Sequence, residues 1–388
     1  AGAMLMRGSR TMTREQIDQR LEQLKTQGSV GGGLQGATIG LQTRREHLAD
    51  ALALAADVLR NPAFPESEFE QLRTQAITGM EASRFEPGAI AGRALAQYFD
   101  PWPAGHPLRN RTLDESLAEL KALKLEDVRA FHRDVYGTAH GEIAIVGDFD
   151  AAAVRAQLEQ LFAGWKSGKP FASIPTQYTD VAAKQARFET PDKPNAVLLA
   201  RHNLPLKVTD ADYPALVVAN RIFGGGALKS RLGDRIRQQE GLSYGVSSGV
   251  RADDSLTGKD DAGSFSIQAI AAPENMAKVE ALVREELARL VKDGITAEEL
   301  KDAVAGTLTE RQQARAEDGT VAGMLADQLF YGRTMQFTAE LDAKYAALTV
   351  DQVNAAIRTY FKPDALSVFL AGDFAGKAGA AATAAPTK

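Results

Sequence analysis

Gly141-Glu-Ile-Ala-Ile-Val-Gly-Asp-Phe149 and Ala365-Leu-Ser-Val-Phe-Leu-Ala-Gly-Asp-Phe374 are two apolar runs that close on the same Gly-Asp-Phe. Apolar runs of this length, rich in β-branched residues and ended by turn formers, read as strands. The helical segment before each run matches at a constant offset of 225 residues, with Leu123 on Leu348, Val128 on Val353 and Arg133 on Arg358. Further upstream the offset becomes 231, placing Ala91-Gly92 on Ala322-Gly323, Gln97 on Gln328 and Phe99 on Phe330. The change falls at Pro101-Trp-Pro-Ala-Gly-His-Pro107, whose composition marks an inserted loop. Segments matching in phase and in the same order indicate an internal duplication.

Around this repeat the chain divides into a first domain at 1–166, a linker at 167–184, a second domain at 185–374 and an Ala-rich disordered tail at 375–388. Periodicity predicts helices near 13–27, 45–60, 66–84, 88–99, 113–120, 124–136 and 151–163 of the first copy, with strands near 29–34, 36–43 and 141–147. The second copy opens with Ala186-Arg-Phe-Glu-Thr190 and a strand at Asn195-Ala-Val-Leu-Leu-Ala200. A helix near 211–223 follows, then strands near 243–251 and 263–271 and helices near 274–293, 297–316, 318–331, 338–346 and 350–361. Thr13-Arg-Glu-Gln16 and Thr296-Ala-Glu-Glu299 are capping boxes. The order predicts an α+β fold of two homologous domains, each an antiparallel or mixed sheet with helices packed on one face. Matching Arg7-Gly8-Ser9 to the glycine turn at Gly224-Gly-Gly226 leaves the first copy short by about 30 residues at its front. The first domain is therefore expected to be incomplete at its N-terminus, within a longer polypeptide.

The 388 residues are 44% hydrophobic and 24% charged, the balance of a globular protein with a real core. A net charge of −5 gives no global positive field for nucleic acid or anionic membrane, and no apolar run approaches a membrane span. Absence of cysteine removes disulfides, thiolate zinc sites and cysteine nucleophiles together. It suits the bacterial cytoplasm and periplasm equally; the alanine-heavy helices suggest a bacterial source. Ala1 to Arg10 lacks the charged-then-apolar order of a signal peptide. The five histidines, His47, His106, His132, His140 and His202, include no pair three or four apart, so no helix face offers two imidazoles to zinc. No Gly-x-Ser-x-Gly elbow, Walker loop or dinucleotide fingerprint occurs. Gly31-Gly-Gly33 and Gly224-Gly-Gly226 lack the lysine or helix register of phosphate loops and read as tight turns or close backbone approaches.

The second glycine run leads into Lys229-Ser-Arg-Leu-Gly-Asp-Arg-Ile-Arg-Gln-Gln-Glu-Gly-Leu-Ser-Tyr-Gly-Val246. This stretch resembles the pitrilysin/insulinase-like metallopeptidases, the inverted zincins, in which a Ser-Arg-Leu helix runs through Arg, Glu and Gly-Leu into a strand-opening Tyr. Asn61-Pro-Ala-Phe-Pro-Glu-Ser-Glu-Phe69, the two Gly-Asp-Phe strands and Arg7-Gly-Ser-Arg-Thr-Met-Thr-Arg-Glu15 resemble further landmarks of that family, so the likeness spans nearly the whole chain. The resemblance implies the LuxS/metallohydrolase-like fold. It also implies a zinc site built on His-x-x-Glu-His and a downstream Glu, with the motif Glu activating the attacking water.

In this sequence the segment that follows the motif is Met4-Leu-Met-Arg-Gly-Ser9, which sets the motif Glu and second His on Gly2 and Ala3. The downstream Glu falls near Thr78 or Gly79, with Glu81 close by but unable to hold zinc alone. Val218-Ala-Asn-Arg-Ile222 of the second copy is equally non-ligating. The resemblance therefore implies a non-catalytic half, with no metal of its own and zinc in a catalytic partner half. It also implies a substrate-gripping pair, an Arg and a Tyr seven residues later, here Arg237 and Tyr244, whose donors suit a peptide carbonyl. Read without the family, Arg237 is a cation near a helix C-terminus and Tyr244 a packing residue at a strand start. Gly224, Gly225 and Gly226 would add backbone donors or clearance at the same place. The expected partners are a catalytic half or subunit and an unfolded peptide, held partly by strand addition. Two other readings stay open: a structural or assembly subunit, and a peptide-binding module without proteolytic role.

Overall fold

The computed structural model describes residues 1–226, 229–256 and 258–375, so the expected disordered tail lies, beyond Ala375, outside the described residues. In chain order come α1 (Arg14–Gln23), β1 (Gln27–Gly32), β2 (Ala37–Gln42), α2 (Leu48–Arg60), α3 (Glu66–Ala82), α4 (Pro87–Tyr98), α5 (Leu113–Ala122), α6 (Leu125–Val135) and α7 (Ala151–Phe162). Then follow β3 (Gln185–Glu189), β4 (Ala196–Pro205), α8 (Tyr213–Asn220), β5 (Ser243–Arg251), β6 (Ala262–Ala271), α9 (Met276–Asp293) and α10 (Ala297–Ala314). The chain closes with α11 (Asp318–Phe330), α12 (Met335–Ala346), α13 (Val350–Tyr360) and β7 (Ser367–Gly372). The fold class is α+β. No helix among the described residues is long and apolar enough to cross a membrane.

Both predicted capping boxes close. Gln16 N–H donates to Thr13 Oγ1 at 3.3 Å while Thr13 N–H donates to Gln16 Oε1 at 2.8 Å. At Thr296 the corresponding distances to Glu299 are 3.2 and 2.8 Å. Thr349 and Gln352 form a third box at the start of α13. Each satisfies two backbone donors that a helix start leaves unpaired.

Two compact units divide the chain, and neither is a simple half of the sequence. The first holds 1–81, 114–174 and 316–330; the second holds 82–113, 175–315 and 331 onward. The segment at 167–184 is thus shared, and it is tied down at both ends. Gly168 and Lys169 donate to the Arg133 and Asp134 carbonyls in the first unit. In the second, Thr176 N–H donates to Asp260 Oδ1 and Tyr178 N–H to Asp261 Oδ1.

In the first unit, β1 and β2 form a two-stranded antiparallel sheet. Its core gathers Leu5, Ile17, Val30, Leu54, Val58, Phe69, Val128 and Tyr136. The strand expected at 141–147 does not form: residues 141–146 have no ladder, and Ile143 is 54% exposed. The matching run β7 differs in having partners: a strand exists through them, and β7 has β3 on one side and β4 on the other, whereas residues 141–146 have no paired strand among the described residues.

The second unit is built on a five-stranded mixed sheet, in the order β3-β7-β4-β6-β5. β7 runs parallel to β3 and antiparallel to β4, and all six of its residues are buried. One face packs on α8, α9 and α13 through Leu198, Ala200, Ile267, Val368 and Leu370. There Phe265 stacks on Phe361 with centroids 4.3 Å apart. Helices are not confined to that face, as the sequence led one to expect. Both alternations of β7 and of the first half of β4 are apolar, and Leu199, Phe369 and Ala371 on the reverse side are covered by Ala91, Leu95 and Tyr98 of α4. Each such side chain removed from water contributes about 1.5–3 kcal/mol, so a sheet apolar on both faces must be covered on both.

His202, on β4, is 3% exposed against Phe265, and its Nε2 has no partner. Burial pushes its pKa down from 6.5 to about 4. Protonation therefore favours the unfolded chain, where the imidazole keeps its ordinary pKa. The contribution of the neutral ring is complete above about pH 6.5 and lost as the pH falls toward 4. Linkage puts the loss between pH 7 and pH 5 at about 2 kcal/mol. Urea midpoints at the two pH values should show this loss in the parent and its absence in His202→Leu; equal pH dependence in both would refute it.

Candidate functional site

The turn between the two singled-out residues is rigid. Ser230 caps the start, accepting from Gly233 N–H at 3.2 Å, and a π-helical stretch spans Gly233–Gln239. Arg235 donates to Glu240 at 2.7 Å, Lys278 donates to the same carboxylate at 2.6 Å, and Arg235 also lies 3.9 Å from the buried Glu286. The Lys278 hydrogen bond, supported by Arg235, holds Glu240 below the usual carboxylate pKa. Gly241, at φ +63, then turns the chain into β5 in a conformation that favours glycine. Arg235 is the arginine committed to structure. Arg237, two residues on, is exposed and makes no ion pair or hydrogen bond among the described residues.

Tyr244 sits on a β-bulge. Ser243 pairs with Ala271 and Gly245 with Ile270, which leaves Tyr244 as the extra residue. Ser243 fixes this irregularity: its hydroxyl lies 2.7 Å from the Ile270 carbonyl, to which it donates, and accepts from Gly245 N–H at 3.1 Å. Bulges re-aim the side chains they carry, and the Tyr244 ring is 78% exposed. The structure thus puts both residues at one end of β5, free to contact something other than their own fold.

The glycine run has a packing role. A Cβ on Gly224 would lie 2.6 Å from Ser248 Oγ, one on Gly225 2.4 Å from Asn220 Nδ2, and one on Gly226 2.3 Å from the Lys229 carbonyl. The Gly226 N–H donates to the Arg221 carbonyl. Clearance at this loop therefore serves the protein's own side chains first. Asn220 also donates to the Ser248 carbonyl at 3.3 Å, closing the middle of β5's outer edge. Ser243 and Asn220 carry no local sequence signal, because their partners stand 27 and 28 residues away.

Where the resemblance would put the motif Glu, the chain has no room for a side chain. Gly2–Arg7 is a 3-10 turn with Gly2 buried, and a Cβ on Gly2 would fall 2.0 Å from the Gly32 carbonyl oxygen. A Cβ on Gly32 would in turn fall 2.2 Å from the Tyr136 hydroxyl, which donates to the Gly33 carbonyl at 3.2 Å. Burial pushes the Tyr136 phenol above its ordinary pKa. Thr78 and Gly79 are exposed on α3, with Glu81 half-buried beyond them. No group of three His, Asp or Glu that could hold a metal occurs among the described residues, so the residues present do not fit a zinc ion. The histidines have other work. His132 bonds the Leu59 carbonyl at 2.7 Å, His106 stacks on Trp102, and His140 stacks on Phe171.

Residues 122–307 match the family described as the peptidase M16 inactive domain. Over 367 residues the chain is 21% identical to the non-peptidase homolog YmxG of Helicobacter pylori, covering 92% of this chain and 80% of that protein. It is 26% identical over 318 residues to an uncharacterized zinc protease of Streptomyces coelicolor, covering 79% of this chain and 66% of that one. The structure of a peptidase M16 inactive domain from Pseudomonas fluorescens superposes with a TM-score of 0.80 at 26% identity, over 96% of this chain and 87% of that chain. The periplasmic protease PqqL from Escherichia coli shares the fold, with a TM-score of 0.72 at 16% identity over 95% of this chain but 40% of its own. Over residues 122–307 the chain is thus similar to the peptidase M16 inactive domain, and its fold is that of the solved inactive domain from P. fluorescens.

Restoring motif residues should not restore a metal site. Gly2→Glu with Ala3→His is expected to bind less than about a tenth of an equivalent of zinc by elemental analysis and to lose about 1–3 kcal/mol of stability through overpacking. Stoichiometric zinc in that variant would contradict the closure described at Gly32.

Proposed function

We propose that this chain is the non-catalytic, substrate-gripping half of a zinc peptidase resembling pitrilysin. It acts with a His-x-x-Glu-His half, on the same polypeptide or a separate subunit, which supplies the zinc and the water-activating carboxylate. The two halves enclose a chamber that admits unfolded peptides. The observation that carries this reading is Tyr244, exposed on a bulge that Ser243 clamps, with an unpaired Arg237 seven residues before it. A phenol and a guanidinium held this way donate to a peptide carbonyl without first breaking bonds to their own protein. An extended peptide adds along the outer edge of β5 on the Tyr244 side of Ser248, where Asn220 does not close it. The name non-peptidase homolog carried by the H. pylori relative agrees with a chain that has no chemistry of its own.

Duplication belongs to the same reading, with copies at 1–166 and 185–374 joined by 167–184. Helix spacing supports it: α3 and α10 start 231 residues apart, as do α4 and α11, while α6 and α13 start 225 apart.

In the assembled enzyme, Arg237→Ala or Tyr244→Phe should lower turnover of an unfolded peptide about 10-fold or more, the scale of losing a donor to a developing oxyanion. Zinc content should stay at the parent value. Unchanged turnover in both variants would remove the roles assigned to them.

A further inference from the structure

Cover by α4 ends at β4, so the reverse face of β6 and β5 is open. Along it, Ile270 opposes Gly245, Gln268 opposes Ser247, Ser266 opposes Gly249 and Ser264 opposes Arg251. Ser266, Gln268 and Ile270 are all exposed. Midway along the face stands a positive charge without a counter-ion. Arg201, on β4, is the cross-strand neighbour of Ser266. Its guanidinium lies over the Phe99 ring, 4.8 Å from the centroid. Nε and Nη2 both donate to Asn203 Oδ1, at 3.1 and 2.9 Å, and Asn203 is itself anchored by donating to the Thr179 carbonyl at 3.0 Å. No carboxylate lies within ion-pair distance of Arg201 among the described residues.

Other charged groups nearby leave the charge standing. Arg251 is spent on the Ala262 carbonyl at 3.1 Å and on Asp253 at 3.3 Å. Asp253 also takes the Thr176 hydroxyl, and no ion pair joins it to Arg201. Burial, and then the neighbouring Arg251 charge, hold the Arg201 pKa below its ordinary value. A planar guanidinium fixed by an aromatic ring and a neutral amide, with Nη1 uncommitted, is the arrangement that receives a carboxylate. Gly249, which opposes Ser266 and through it lies level with Arg201, stands five residues from Tyr244, a rise of about 17 Å.

We infer that the open β5–β6 face is a subsite for acidic peptides, in which Arg201 receives a carboxylate about five residues along the chain from the segment held at Tyr244. This rests on the peptide-gripping reading and adds the substrate class. Gly245, Ser247 and Gly249 keep the path low, so an extended backbone reaches the cation. The carboxylate comes from an acidic side chain or from a peptide's own C-terminus; the chemistry at Arg201 is the same.

Fluorescence anisotropy with a labelled Ala/Ser peptide of about ten residues tests this at low salt. The peptide is made with Asp or Asn at the fifth position, and separately as a neutral chain ending in a free acid or an amide. A charged form should bind the parent about 10-fold more tightly than its neutral counterpart, and which pair shows the difference identifies the source of the carboxylate. Arg201→Gln should abolish the difference. So should Ser266→Asp, which places an acid beside Arg201 at an exposed strand position and guards against a folding defect in the first variant. Tyr244→Phe should weaken every form alike and keep the ratio. Equal binding of charged and neutral forms, or a preference that survives in Arg201→Gln, would overturn the inference while leaving the Tyr244 role untouched. A preference lost in Arg201→Gln with no effect of Tyr244→Phe would sustain it and remove that role instead. Failure of every form to bind would overturn both.

Discussion

β7 is the constraint on which the second unit depends. Six consecutive residues with no exposed member can be buried only if every backbone donor and acceptor is paired, and the parallel β3 and antiparallel β4 supply those pairs. Its closing Gly-Asp-Phe then acts as a lock. A Cβ on Gly372 would lie 2.4 Å from that of Ala196, Asp373 accepts from Asp192 N–H at 3.2 Å, and Phe374 N–H donates to Glu189 at 3.0 Å. With β7 fixed, β4 is fixed beside it, β6 follows in a ten-residue antiparallel register, and β5 becomes the edge that carries Tyr244. The exposed end of the sheet is thus positioned by its most deeply buried strand.

The same motif in the first unit shows what the sequence alone does not decide. Gly147 adopts φ +136, and Asp148 pairs with Arg45 at 2.5 Å rather than with a neighbouring strand. Local signals were read well wherever the cause is local. Capping boxes at Thr13 and Thr296 close as predicted, and nearly every helix lies within a few residues of its expected span. The family likeness was legible from the order of many weak motifs. What could not be read depends on distant partners: the missing ladder of 141–146, the cover that α4 gives the reverse of the sheet, and the placement of 316–330 in the first unit. The spacing of Arg237 and Tyr244 was visible in the sequence; the bulge that turns Tyr244 outward was not, because it is set by Ser243 against Ile270.

The N-terminal turn is closely packed: Gly2 and Gly32 leave no space for a side chain, and Tyr136 closes behind them. By contrast, the second unit keeps an arginine and a tyrosine exposed on a braced turn, at a cost in solvated surface that its own folding does not require. A chain relieved of chemistry but holding donors ready for a peptide is the physical content of an inactive, substrate-gripping half.

Reconstitution tests that claim most directly. Hydrolysis of a quenched unfolded peptide would be measured for this chain alone, for a His-x-x-Glu-His partner half alone, and for the two mixed. The account predicts no hydrolysis by this chain, little by the partner, and a large gain on mixing that Tyr244→Phe diminishes. Hydrolysis by this chain alone, or a mixture no faster than the partner by itself, would contradict it.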